Sequence, residues 1–174
     1  MIHRAASPLV GGLVRFFLSR QLIVIYNLAI LAISAMALWE ITALLLSPGN
    51  DFHEIIDIME GLGVIYIGYG VVVEERASIF DAVGLYPAAR TDEQEVIDHI
   101  CHAYGLGYLC LGLLLEIVLY CVKLPNWLID TEGRESPVLF IGVFMAAVVV
   151  LMMLRHIWQL LRPQLAAALQ QSHP

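Results

Sequence analysis

The chain has 174 residues, 60% of them hydrophobic and 14% charged, with a mean hydropathy of +0.80, which is more apolar surface than a soluble domain of this size can bury. Its formal net charge of −7 excludes the basic footprint that nucleic-acid binding needs. No nucleophile triad, phosphate loop, cofactor motif or Cys-x-x-Cys pair is present, so the residues point to no enzymatic activity and no cofactor.

In chain order, residues 1–20 carry Arg4, Arg15 and Arg20 around the brief apolar run PLVGGLV. They read as a short amphipathic helix on the membrane surface, with Phe16, Phe17 and Leu18 dipping into lipid, and not as a cleavable signal. Four segments then suit a bilayer, since a crossing takes about 20 apolar residues in helical form. They are placed at 21–47, 57–75, 98–122 and 137–161. The first connection, SPGND, is a turn in which Pro48 and Gly49 stop a helix and Asn50 or Asp51 can cap the next. The second, residues 76–94, contains Ile79, Phe80, Val83, Leu85 and Tyr86 and should lie at the interface. The third, LPNWLIDTEGRESP, is acidic and offers Trp127 as an interfacial anchor.

Long apolar runs without period-two alternation exclude barrel strands. The expected fold is all-α: a polytopic membrane protein, one domain over residues 1–174, with four antiparallel transmembrane helices. Orientation follows from Lys and Arg near the helix ends. Arg4, Arg15, Arg20, Arg76, Arg90, Arg155 and Arg162 fall on one side and only Lys123 and Arg134 on the other, so both termini are expected in the cytoplasm. Cys101, Cys110 and Cys121 sit on one helix, too far apart to bridge one another.

Gly61 and Gly68 share a face of the second span, as do Gly63 and Gly70, and Gly105 and Gly112 repeat the seven-residue spacing on the third. Small residues let helix backbones approach closely in lipid, so these two helices are expected to form the packed centre.

Carboxylates bracket the same two helices. His53, Asp57 and Glu60 form a stripe at one end of the second, which Glu74 rejoins at the other; Asp98, His102 and Glu116 form one on the third. In an antiparallel bundle one end then gathers Glu40, Asp57, Glu60 and Glu116, and the opposite end Glu74, Glu75, Asp98, His99 and His102. A charge at the bilayer centre costs about 2.5–3.5 kcal/mol on insertion scales, so such groups seek a bundle interior, water or a partner. Glu40 in ALWEITALLL and Glu116 in LLLEIVLY are the deepest, and each could hydrogen-bond across a helix interface. Four uses are open: snorkelling to the headgroups; a metal site on Glu75, Asp98, His99 and His102; a proton or cation path in a homo-oligomer; and contact with another membrane subunit. Between the two ends the second span offers only Tyr66 and Tyr69 and the third only Tyr104 and Tyr108, which reads as an apolar centre.

The layout resembles the small four-helix membrane subunit of tripartite ATP-independent periplasmic (TRAP) transporters. The resemblance lies in the length, in the acid before the second span in HEIIDIMEGLGVIYIGYG, and in EERASIFDAVGLYP with Asp81 and Pro87. Pro137 in RESPVLFIGVF and the exit LRHIWQLLRP extend it. The segments WEITALLL and MEGLGVIY are similar also to the four-helix phosphate-starvation-inducible PsiE group. The TRAP resemblance implies a multi-pass protein of the bacterial inner membrane, in contact with the lipid bilayer. It further implies a non-catalytic accessory subunit that scaffolds a larger transport subunit for small organic acids and helps dock a periplasmic binding protein. The acidic third loop, with Asp130, Glu132 and Glu135, would be the docking surface.

Overall fold

A computed structural model describes residues 8–47, 52–85, 92–124 and 135–162. Its elements are α1 (Pro8–Phe17), α2 (Arg20–Leu46), α3 (Phe52–Glu74), α4 (Arg76–Ala82), α5 (Asp92–Lys123) and α6 (Glu135–Leu161). Four of them, α2, α3, α5 and α6, are long and apolar enough to cross a membrane, so the chain is an all-helical, multi-pass membrane protein. The short first and third connections and the acidic loop residues Asp130 and Glu132 lie outside the described residues, as does the side chain of Glu135.

The four spans pack in the cyclic order α2–α3–α5–α6, and the α3–α5 seam is the most intimate. Glycine is the reason. A Cβ at Gly70 would lie 2.6 Å from the backbone N of Leu109 and 2.8 Å from the carbonyl of Gly105. One at Gly112 would lie 3.0 Å from the carbonyl of Gly63, and one at Gly105 would strike the backbone of Glu74. Gly61 and Gly68 do not belong to this seam, contrary to the sequence expectation: both are exposed, with nothing within 4 Å of where a Cβ would stand. Two residues of helix turn through about 200°, so of two glycine pairs offset by two positions only one can face a given neighbour.

The main core runs through the bundle from Ile41, Ile55, Met59 and Leu139 to Tyr66, Tyr108, Val149 and Met153; a second cluster of Ile23, Val73, Ile97, Ile100 and Leu160 closes one end. Burial of Ile55 and Ile56 explains why α3 starts at Phe52, five residues before the hydrophobic run that marked it in the sequence. At 32 residues, α5 is about 48 Å long at 1.5 Å per residue, against about 30 Å of hydrocarbon. Its first turns therefore stand clear of the apolar layer and carry Glu93, Gln94 and Asp98. A third departure is Leu18, expected in lipid but buried. It lies at the elbow between α1 and α2, where Ser19 caps α2 by accepting a hydrogen bond from the Leu22 amide at 3.4 Å. Leu13, Phe16 and Phe17 do face outward from α1. Finally, the connection after α3 holds a two-turn helix, α4, in contact with α1, α3 and α5.

Candidate functional site

Three groups of polar side chains lie in or on the bundle, one at each end and one inside. At the end where α3 begins and α5 finishes, the Lys123 ammonium donates to Glu60 at 2.5 Å and stands 3.9 Å from Asp57. Glu116 lies beneath this pair, half-buried against Gly63, whose missing side chain makes room for the carboxyl. The Oε1 atom of Glu116 is buried and meets no donor among the described residues. Three of the four expected acids thus share one end, organised by Lys123 from the last turn of α5. Glu40 does not join them. It is exposed on the outer face of α2, beside Met36 and Trp39, and makes no hydrogen bond or ion pair among the described residues.

At the opposite end the proposed metal ligands disperse. Asp98 pairs with the Arg76 guanidinium, His102 Nδ1 stands 3.0 Å from Glu74, and Glu75 and His99 are exposed. No group of three or more His, Cys, Asp or Glu close enough to hold a metal ion occurs among the described residues. Arg76 decides this arrangement. Its side chain is 2% exposed, so it is no free loop charge of the kind that orientation counting assumes. Nε donates to the carbonyl of Leu18 at 2.8 Å, and the guanidinium lies over the Phe80 ring, 4.8 Å from its centroid. The amide of Gln94 faces the same guanidinium, and the orientation that satisfies both groups has its oxygen accepting from the two terminal nitrogens. One side chain therefore ties α4 to the α1–α2 elbow and to the head of α5.

The interior group was not foreseen. His156 of α6 is fully buried; its Nδ1 lies 3.0 Å from the hydroxyl of Tyr108 and 3.2 Å from the amide nitrogen of Asn27. With Nδ1 accepting from these donors, the network assigns the ring proton to Nε2, which faces the Cys101 sulfur at 4.0 Å. Tyr104 stacks on the imidazole, with centroids 4.6 Å apart and planes within 2° of parallel. Asn27 Oδ1 is buried without a partner among the described residues. Nearby, Tyr66 donates to Ser34 at 2.9 Å, and Ser34 in turn to the carbonyl of Ile30 at 2.8 Å. Of the four tyrosines in this apolar centre, Tyr66 is paired with Ser34 of α2 and Tyr104 and Tyr108 meet His156 of α6, while Tyr69 donates to the carbonyl of Ile23 at 3.3 Å. In the sequence Asn27 and Ser34 interrupt the apolar run of the first span, and His156 stands beside Arg155 near the end of the last. Their only signal is that a polar residue in such a run must find a partner inside the bundle.

Chemically, the site can pass hydrogen bonds among buried hydroxyl, amide and imidazole groups and present acids at one end and arginines at the other. No family model, curated protein or solved structure matches the chain.

Proposed function

We propose that the chain is a non-catalytic accessory subunit of a secondary transporter for small organic acids in the bacterial inner membrane, where its bundle scaffolds a larger transport subunit. Both termini then lie in the cytoplasm and the Lys123 end faces the periplasm, where a substrate-delivering binding protein docks. Glu40 carries this reading. A carboxyl on an outward face next to Met36 and Trp39, which are 72% and 77% exposed, is costly against lipid and favourable against a donor on a neighbouring subunit. The test is gentle solubilisation of the tagged full chain and identification of what elutes with it. A larger membrane protein retained by the native chain and released by Glu40→Leu is the expected result. A chain that elutes only with copies of itself overturns the reading.

A second reading, a homo-oligomeric proton or ion channel, draws on the buried polar groups: Glu116, the Tyr66–Ser34 pair, and the Tyr108–His156–Asn27 cluster. It requires that the purified chain alone dissipates a pH gradient in liposomes, and that Glu116→Gln and His156→Phe abolish the flux.

A further inference from the structure

At the arginine end a cleft of about 160 Å³ opens in the angle between α1 and α2, floored by α4 and the head of α5. Its polar lining is rich in donors. Arg15, in the last turn of α1, makes no hydrogen bond or ion pair among the described residues. Arg20 opens α2 and is held by Glu93 at 2.7 Å, with the two side chains 39% and 60% exposed. An ion pair so exposed contributes about 0–1 kcal/mol, so a competing anion can take the guanidinium at little cost. Ser19 spends one oxygen lone pair on capping α2, and its hydroxyl proton meets no acceptor among the described residues. Arg76 forms the back wall, its charge matched by Asp98 and its hydrogen bonds given to Leu18, Asp98 and Gln94. The Phe80 ring adds an apolar side.

The cleft's height in the membrane follows from its neighbours. Leu13, Phe16 and Phe17 of α1 face outward as an interfacial helix requires, and α2 enters the hydrocarbon within a turn of Arg20. The guanidinium groups of Arg15 and Arg20 therefore stand at the level of the lipid phosphates. Trp158, exposed near the end of α6 with Arg162 stacked 4.3 Å over its ring, marks the same level on the neighbouring helix. Guanidinium groups take phosphate oxygens in paired, charge-assisted hydrogen bonds, and basic pockets between membrane helices hold anionic headgroups in this manner.

We propose that this cleft is a phosphate-binding site, with Arg15 and Arg20 as the charged ligands and Ser19 as a neutral donor, the Arg76–Asp98 pair fixing the wall behind them. The phosphate is either that of an anionic lipid headgroup or free phosphate drawn to the surface. This assignment does not depend on the transporter reading, since it concerns only the membrane-level end of the bundle.

The full chain in neutral detergent is titrated with phosphatidylglycerol, phosphatidylcholine and inorganic phosphate, and bound adducts are read by native mass spectrometry. Saturable binding of one phosphatidylglycerol, little binding of phosphatidylcholine, and a loss of about tenfold or more in affinity in Arg15→Gln and Arg20→Gln establish the lipid as source. Displacement of that lipid by inorganic phosphate, or binding of phosphate alone with the same dependence on both arginines, establishes the free anion. Arg15 packs against nothing by hydrogen bond, so Arg15→Gln reads binding without disturbing the fold. Arg162→Gln, outside the cleft at the same end, leaves binding unchanged. Equal binding of the two lipids, indifference to Arg15, or an equal loss in Arg162→Gln overturns the proposal.

Discussion

Arg76 and His156 are the two side chains whose burial the rest of the packing must accommodate. A buried guanidinium is tolerated only while its partners stay in place, and removing one member of such a pair leaves the other uncompensated. Asp98→Asn or Arg76→Gln should therefore destabilise the bundle by about 3 kcal/mol or more, read as a lowered midpoint in detergent-mediated unfolding. Glu93→Gln, which touches only the exposed pair with Arg20, should change it by less than about 1 kcal/mol. The interior cluster is expected to separate two contributions. His156→Phe keeps a ring for Tyr104 to stack on but leaves Tyr108 and Asn27 without their acceptor. Interhelical hydrogen bonds within bilayers contribute only about 0.6 kcal/mol on average, so the cost should be about 1 kcal/mol. His156→Ala adds a cavity and should cost about 3 kcal/mol in the same assay.

Among the helices, the α3–α5 seam is where backbone meets backbone. An alanine at Gly70 or Gly105 meets main-chain atoms that cannot turn aside, so either substitution should force the helices apart and sharply lower the unfolding midpoint. Gly61→Ala and Gly68→Ala meet open space and should be tolerated, with a gain of up to about 1 kcal/mol from helix propensity. Gly63→Ala is the informative intermediate. Its methyl would meet first the flexible Glu116 side chain, so it should be milder than Gly70→Ala and milder still beside Glu116→Ala. These substitutions distinguish two glycine pairs that are equivalent in sequence spacing.

For the molecule as a whole, the asymmetry between an arginine end and an end with the single described cation Lys123 sets the orientation expected in the membrane. A fluorescent reporter fused at the C-terminus should glow, and one that matures only in an oxidising compartment should not. An inserted reporter between α5 and α6 should give the reverse. Four spans and an all-helical fold were legible because each rests on composition and local spacing; of the packing glycines, Gly105 and Gly112 lie in the central seam and Gly61 and Gly68 do not. The acid end was legible in part: Asp57, Glu60 and Glu116 do converge, whereas Glu40 lies on the outside. Helical periodicity places residues on a face of their own helix but does not say which neighbour that face meets. The arginine cleft was not legible at all, since its walls come from α1, α2, α4 and α5.

What the sequence by itself determined is the solvent and the class of fold. Apolar runs of this length can be satisfied only by helices crossing lipid, whatever their neighbours do. What only the tertiary structure decided is which polar side chains are partners. Asn27, His156 and Tyr108 are distant in sequence, as are Leu18, Arg76 and Asp98, and no local pattern links them. Their pairing follows from which helices the fold sets side by side, α2 and α5 against α6 and α4 against the α1–α2 elbow, and from the lack of water inside the bundle. Buried donors and acceptors there must find each other or stay unpaired.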